Sequence, residues 1–319
     1  MNLGLHRFAV VTAVATLLLI AAGGLVTSTE SGLSVPDWPT TYGQNPFTFP
    51  ISKWVGGIRF EHTHRLIAST VGLLTVVLAI WLARREPRTW VRRLGYGALA
   101  AVVAQGILGG LTVKFLLPTA ISVAHACLAQ TFFCLIVTLA VVTSPSWREG
   151  RATDAAALGR VGAATVGMIF VQLLMGAVMR HTQAGLAIPD FPLNFGKVVP
   201  PISSFAVAIH FAHRVGALLV TLLAAASWIL ARRSGRADLK RRAAVLLGFV
   251  VFQIALGAAT VLSRKDVIVT TAHVAVGALV LGAALMLTLW SRRAAGTTSQ
   301  ALPEGSAAGL ADVRHEVLA

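Results

Sequence analysis

Long runs of apolar residues alternate along the chain with short segments that hold most of its charged residues. A hydrocarbon core about 30 Å thick is crossed by about 20 helical residues, at a rise of about 1.5 Å per residue. Eight runs reach this length, at about 8–26, 62–83, 94–113, 120–142, 161–179, 206–230, 243–262 and 268–290. The pattern therefore predicts an all-α integral membrane protein with eight transmembrane helices.

Composition and charge agree with this prediction and add an orientation. Of the 319 residues, 56% are hydrophobic and 12% are charged, and the mean hydropathy of +0.76 lies outside the range of soluble domains. With a cytoplasmic N-terminus, 18 of the 27 Lys and Arg residues fall in cytoplasmic segments, as the positive-inside rule requires. We therefore expect a multi-pass protein of the cell membrane with both termini cytoplasmic. Basic loops facing anionic lipid account for the net charge of +15, so no nucleic-acid partner is expected.

Two stretches of the chain repeat each other. The segment SGLSVPDWPTTYG at 31–43 matches AGLAIPDFPLNFG at 184–196, and the similarity continues into the helices that follow. A long period of this kind indicates a duplicated four-helix unit, and an even number of spans gives both copies the same direction in the membrane. We expect two tandem four-helix bundles related by a pseudo-twofold axis along the membrane normal. The bundles would occupy residues 1–150 and 151–295, and residues 296–319 would form a disordered cytoplasmic tail.

Four of the nine histidines recur through the repeat, so that His64 aligns with His213 and His125 aligns with His273. All four fall in one layer near the outer ends of even-numbered helices, whereas His62 lies on another helix face and is expected at the membrane interface. A lone histidine within a membrane would equally serve as a hydrogen-bonding group between helices. Two histidines on two helices of each bundle instead favour heme, whose iron takes two axial imidazoles. Zinc fits less well, because two histidines leave half of its tetrahedral shell empty.

The charged residues next to these histidines differ between the two copies. Arg65 and Arg214 each follow a candidate ligand directly and suit heme propionates, although side chains reaching toward the membrane interface would explain them equally well. Glu61 lies three residues before His64 and shares its helix face, whereas His210 occupies the aligned position in the second copy. The alternative is a Glu61 that faces solvent or pairs with Arg65. The difference predicts catalysis in the first bundle and an electron-transfer or structural heme in the second.

Together these residues resemble one known family. The sequences EHTHR at 61–65 and HFAHR at 210–214, the histidines within VAHA and TAHV, the eight spans and the duplicated loop are similar to heme A synthase, a membrane enzyme of cytochrome oxidase assembly. The resemblance covers about residues 8–290. It implies oxidation of the C8 methyl group of heme o to a formyl group by successive hydroxylations, which gives heme a. Some members carry cysteine pairs in the outer loops, but residues 27–57 and 180–205 hold none, so the chain resembles the cysteine-lacking type.

The resemblance also implies a role for each bundle. His64 and His125 would ligate the substrate heme o, while His213 and His273 would ligate a heme b cofactor. Glu61 would be the acid that assists at the reacting methyl group. The implied partners are heme o synthase, cytochrome oxidase assembly factors, membrane lipid and an electron acceptor of unknown identity. The oligomeric state is left open, a homo-oligomer included.

Two other functions are compatible with parts of the pattern. A diheme b-type electron-transfer protein would use the same four histidines, but it would not explain the difference between Glu61 and His210. A transporter built from two parallel repeats would place polar residues and helix breaks at the middle of the membrane. This sequence places its ionisable residues near the outer helix ends instead.

Overall fold

A computed structural model describes residues 3–148 and 155–298 of the chain. Within these ranges the protein is helical, without strands, and eight of its helices are long and apolar enough to span a membrane. This confirms the fold class predicted from the apolar runs. The helices are α1 (Leu3–Ser28), α2 (Ile58–Arg85), α3 (Thr89–Lys114), α4 (Thr119–Thr143), the short α5 (Pro145–Arg148), α6 (Ala156–His181), α7 (Phe205–Arg233), α8 (Ala237–Leu262) and α9 (Val267–Thr298).

The last helix reaches into the segment that was expected to be a tail. Helix α9 ends at Thr298, so the first residues of the segment 296–319 are helical. The remainder of that segment lies outside the described ranges.

The first four long helices and the last four form two similar rings. Helices α1 and α3 each pack against α2 and α4, and α6, α7, α8 and α9 repeat this arrangement. Between the rings, α1 contacts α9, α4 contacts α6, and α4 contacts α9. A twofold rotation that exchanges α1 with α6 and α4 with α9 maps this set of contacts onto itself. The packing is therefore compatible with two tandem four-helix bundles related by a pseudo-twofold axis.

Two long loops lie on one side of the bundles, which we call the loop side: residues 29–57 join α1 to α2, and residues 182–204 join α6 to α7. Both loops contain a glycine in the left-handed region, with φ of +72° at Gly43 and at Gly196. Glycine takes this conformation without the steric cost of a side chain. The sequence repeat is thus also a repeat of backbone conformation. Each loop further contains a cis peptide bond and a short antiparallel bridge, at Trp38–Pro39 and Thr41–Gln44 in the first loop and at Phe191–Pro192 and Asn194–Lys197 in the second.

The helices pack closely where one of them carries a small residue. A Cβ atom added at Gly162 of α6 would lie 2.7 Å from Oγ1 and 3.4 Å from Cα of Thr288 in α9, so the glycine sets how near these helices come. Large apolar side chains remain exposed on the outer surface, as at Leu73 and Leu218. Because lipid gives helices no hydrophobic gain on association, close packing at small residues contributes much of the stability of such bundles.

Replacing Gly162 by leucine should push α6 away from α9 and lower the melting temperature of the protein in detergent. Overpacking of this kind costs about 1–3 kcal/mol. Gly167 of α6 is the matched control, because a Cβ atom there would meet no atom of another helix within 4 Å. Gly167→Leu should melt close to the wild-type temperature. Equal melting temperatures for the two variants would contradict the close contact at Gly162.

Candidate functional site

The four histidines that recur in the repeat lie near the loop-side ends of α2, α4, α7 and α9. They follow the first residue of their helix by six to eight positions, which is about 9–12 Å along the helix axis. His64 on α2 and His125 on α4 belong to the first ring, and His213 on α7 and His273 on α9 belong to the second. The structure thus places these histidines as two pairs, one in each ring of helices.

Each of these imidazoles rests on a glycine of the neighbouring helix, and we call the four glycines the glycine seats. A Cβ atom added at a glycine seat would lie only 3.1–3.3 Å from Cε1 of the imidazole, so the ring would have to move. The absence of a side chain therefore lets the ring lie against the helix backbone. The contacts join His64 to Gly23 of α1, His125 to Gly109 of α3, His213 to Gly176 of α6 and His273 to Gly257 of α8.

The donor atoms fit heme better than a metal ion held by the protein alone. In all four histidines Nδ1 is buried without a hydrogen-bond partner among the described residues, so each imidazole keeps a ring nitrogen that none of these residues binds. In His125 and His273 the other ring nitrogen, Nε2, lies 3.4 Å from Nε2 of a glutamine. Within residues 3–148 and 155–298, no three His, Cys, Asp or Glu side chains are grouped so that they could hold a metal ion. Two imidazoles on helices of one bundle can serve as the axial ligands of a heme iron. Both pairs therefore fit heme.

Three of the four histidines are also tied to the preceding helix by a glutamine, which the sequence analysis missed. In each glutamine tie, Nε2 donates to the main-chain oxygen of the histidine, and the glutamine precedes the glycine seat by four residues on the same helix face. The repeated sequences QGILG, QLLMG and QIALG carry this signal. The ties run from Gln105 to His125 (3.1 Å), from Gln172 to His213 (2.7 Å) and from Gln253 to His273 (2.9 Å).

Arg65 and Arg214 bind the two long loops. Each guanidinium donates from both Nη atoms to three main-chain oxygens of its loop, at distances of 2.7–3.2 Å. Because each arginine directly follows a histidine of the two pairs, the loop is tied to the helix beside the site. Contact between these arginines and heme propionates stays a prediction. The acceptors are the oxygens of Val35, Asp37 and Thr40 for Arg65, and those of Ile188, Asp190 and Leu193 for Arg214.

Glu61 and His210 hold corresponding amides of the two loops. Glu61 is buried; its Oε2 accepts the N–H of Val35 at 2.8 Å, and its Oε1 lies 2.6 Å from Nη2 of Arg65. In the second half, Nδ1 of His210 accepts the N–H of Ile188 at 3.2 Å. The two residues that differ between the copies therefore fill the same structural role. The pairing of Glu61 with Arg65, which the sequence left as an alternative, is present.

His62 is fully buried within the protein, and its expected position at the membrane interface stays a prediction. The loop 29–57 folds back over α2, and the ring of His62 packs against those of Phe49 and Trp54, with centroid distances of 5.2 and 4.7 Å. Its Nδ1 lies 3.2 Å from Oγ1 of Thr41. Helix periodicity places a residue on a face, but it does not show which loop covers that face.

Comparison with known proteins identifies a family for this chain. A model of the COX15-CtaA family, described as cytochrome oxidase assembly protein, matches residues 6–54 and 57–285. The matched residues include both histidine pairs and nearly all of both long loops. The chain belongs to this family.

Several relatives of this COX15-CtaA family member are similar over most of their length. The heme A synthase of Halalkalibacterium halodurans is 30% identical over 287 residues, which are 86% of this chain and 92% of the relative. The heme A synthase of Shouchella clausii is 32% identical over 82% of this chain and 88% of the relative. That of Symbiobacterium thermophilum is 32% identical over 81% and 85%.

An aspartate organises each long loop of this COX15-CtaA family member. Asp37 and Asp190 both accept hydrogen bonds from the main-chain N–H groups five and six positions later. Burial alone would raise the pKa of Asp37, but hydrogen bonds, led by that from Gly43, lower it. Hydrogen bonds from Gly196 and Phe195 lower the pKa of Asp190. The stabilisation of the loops by these carboxylates is therefore complete above the pKa of about 3.9 of a free aspartate and is lost as the pH falls through the lowered pKa.

The first loop also covers α3 beside a glycine seat. A Cβ atom added at Gly110, the residue after Gly109, would come within 2.5 Å of the ring of Trp38, so this half-exposed ring lies directly on the helix. The aligned residues in the second half are Phe191 and Ala258. The first half thus combines the larger ring, that of Trp38, with the smaller helix residue, Gly110.

Arg180 joins the two rings of helices. Its Nη2 donates to the main-chain oxygen of Gly24 at 2.9 Å and to Oγ of Ser28 at 2.8 Å, both in α1. Oγ1 of Thr271 in α9 donates to the same Ser28 hydroxyl at 3.3 Å. The residue of the first half that aligns with Arg180 is Thr27, so the residue that forms this bridge differs between the two halves.

Replacing Asp190 by alanine should loosen the loop 182–204, because two main-chain N–H groups lose their acceptor. We expect trypsin to cleave after the exposed Lys197 several times faster than in the wild type, as measured by mass spectrometry of the fragments formed in detergent. Cleavage after Lys53 in the other long loop serves as the internal control and should keep its rate. If cleavage after Lys197 is equally fast in both proteins, Asp190 does not hold this loop.

Proposed function

We propose that this chain is a heme A synthase, which oxidises the C8 methyl group of heme o to a formyl group by successive hydroxylations and so supplies heme a to cytochrome oxidase. The observation that carries the proposal is that His64 and His125 lie on two helices of one ring, each against a glycine, and that the buried carboxylate of Glu61 anchors the long loop next to His64. It is supported by heme A synthases that are 30–32% identical over most of both chains.

The two histidine pairs would hold different hemes. His64 and His125 would ligate the substrate heme o, and His213 and His273 would ligate a heme b cofactor. This division is supported by the loop anchors, because a carboxylate stands three residues before the histidine of α2 and an imidazole stands at that position in α7. When bound, the heme groups and an oxidant supply the hydroxylating chemistry, and the protein supplies ligation, orientation and electrostatics.

The residues of the chain would bind, orient and shield the substrate. The glycine seats set the positions of the imidazoles. The loop 29–57, with Trp38 against α3, would limit access of water to the first pair from the loop side. Arg65 binds this loop through three main-chain oxygens and follows His64 directly, so the positions of loop and ligand are coupled. A site closed to bulk water strengthens the electrostatic interactions within it.

Glu61 would act in the reaction as an electrostatic stabiliser. It is buried and lies three residues before His64, on the same face of α2. A carboxylate in a low-dielectric site can stabilise positive charge that develops at the reacting methyl group. Its ion pair with Arg65 compensates the cost of burying the carboxylate.

Eight apolar helices make this a multi-pass membrane protein. We place it in the cell membrane with both termini cytoplasmic and the loop side outward, which is supported by the distribution of Lys and Arg along the chain. Heme o synthase would deliver the substrate, and cytochrome oxidase assembly factors would receive the product. An electron acceptor completes the proposed set of partners.

Heme analysis tests the proposed reaction directly. The chain is co-expressed with a heme o synthase in a host that lacks heme a, and the hemes are extracted with acidified acetone and identified by chromatography with mass detection. We expect heme a, or its hydroxymethyl precursor. If a well-folded protein yields only heme b and unreacted heme o, a diheme b-type electron-transfer protein becomes the better description.

Two substitutions of Glu61 separate its proposed chemical role from its role as a loop anchor. Glu61→Gln keeps an acceptor for the N–H of Val35, and Glu61→His introduces the residue that anchors the loop in the second half. Both should bind heme but form heme a about 100-fold more slowly, because the charge is lost. Heme content by absorbance and heme a by mass detection are the two measurements. If Glu61→Gln forms heme a at the wild-type rate, Glu61 serves only as an anchor of the loop.

A further inference from the structure

His64 differs from the other three histidines of the pairs in how it is held. Each of the others receives a glutamine tie from the helix that carries its glycine seat. The residue four positions before Gly23 is Leu19, which has no side-chain donor and packs against the apolar core of the first ring. Within the described residues, α1 therefore supports His64 with a glycine seat but without a glutamine tie.

The second half shows what a glutamine tie at this position requires. Gln172 aligns with Leu19, and Gly216 makes room for it, because a Cβ atom at Gly216 would come within 2.2 Å of Oε1 of Gln172. The residue that aligns with Gly216 is Ile67, which also packs against the core of the first ring. The first half thus has an apolar pair where the second half has a glutamine and the glycine that accommodates it.

A glutamine tie resists separation of two helices at the level of the ligand. Moving α7 away from α6 at His213 breaks the bond from Gln172 and leaves buried polar atoms without partners, which is costly. Moving α2 away from α1 at His64 breaks no such bond. Helices α2 and α7 both carry an arginine and a second residue that bind a long loop. Local opening takes place where the fewest interactions are lost, so at the ligand α2 separates from α1 more easily than α7 separates from α6.

We propose that His64 is the ligand that is exchanged during turnover: α2 moves away from α1 at this residue to admit the substrate heme and to release the product. The three tied histidines keep their positions. This inference rests on the proposed function, because only a heme that serves as substrate has to leave in every turnover. Leu19 and Ile67 are then positioning residues that keep the first site open to exchange.

Transfer of heme to an acceptor protein tests the proposal. The purified full-length protein is loaded with hemin, excess apomyoglobin is added, and release is followed by absorbance. We expect two phases, of which the faster comes from the first pair and disappears in His64→Ala. An unchanged faster phase in His64→Ala would overturn the proposal.

A matched pair of double variants isolates the missing glutamine tie. Leu19→Gln with Ile67→Gly should slow the faster phase about fivefold relative to Leu19→Met with Ile67→Gly, which lacks only the amide. A factor of five corresponds to about 1 kcal/mol at about 1.4 kcal/mol per tenfold, a typical net value for one hydrogen bond. The low-spin electron paramagnetic resonance signal of the first site should shift as the imidazole becomes fixed. Equal release rates for the two folded proteins would overturn the proposal.

If the double variants fail to fold, the opposite substitution in the second half, Gln172→Leu, tests the proposal instead. It removes the glutamine tie at His213 and should speed the slower phase about fivefold. An unchanged slower phase would show that glutamine ties do not govern release, and the proposal would then fall.

Heme a formation in the co-expressing cells separates this inference from the proposed function. Two-phase release from a wild-type protein that forms no heme a would overturn the assignment as heme A synthase. Heme a formation together with a single release phase would overturn only the role of His64 as the exchangeable ligand.

Discussion

The close approach of an imidazole to a helix backbone is the constraint on which this protein depends. A histidine among membrane helices needs space beside a neighbouring helix, and its polar atoms need partners, because hydrocarbon offers none. A glycine provides the space at four equivalent places, and at three of them a glutamine one turn away binds the histidine's main chain. The spacing and register of each helix pair follow from these contacts.

The long loops extend this constraint to the surface. In each half, the arginine after a histidine binds three loop oxygens, and the residue three positions before that histidine binds a loop amide. The residues that bind the loop and the histidine that would ligate heme thus lie within two turns of one helix. A displacement of the loop is therefore transmitted to the histidine, and a displacement of the histidine to the loop. Glu61 and His210 show that chemically different side chains can bind the loop amide. The residue at this position can therefore differ between the halves without loss of the loop contact.

Periodicity accounts for what could be predicted from the sequence. The apolar runs were enough for eight helices in order, and the repeat was enough to find the histidines that the structure places as pairs. Periodicity could not predict contacts between a helix and a loop. The burial of His62 depends on how the first long loop folds over α2, and the hydrogen bonds of Arg65 depend on the path of that loop. The spacing Q-x-x-x-G could not be predicted in this way, because a glutamine carries no charge and does not stand out within an apolar helix as an ionisable residue does.

The contacts between the two rings have a consequence for the two histidine pairs. These contacts are isologous: α1 contacts α9 as α6 contacts α4, and α4 contacts its own equivalent, α9. Contacts of this kind are typical of a homodimer with twofold symmetry. A homodimer has to use one sequence for both of its sites. A single chain does not, and Arg180, which bonds to α1, aligns with Thr27 in the first half. A single chain that holds both copies can therefore place different residues at equivalent positions, which the different roles proposed for the two histidine pairs require.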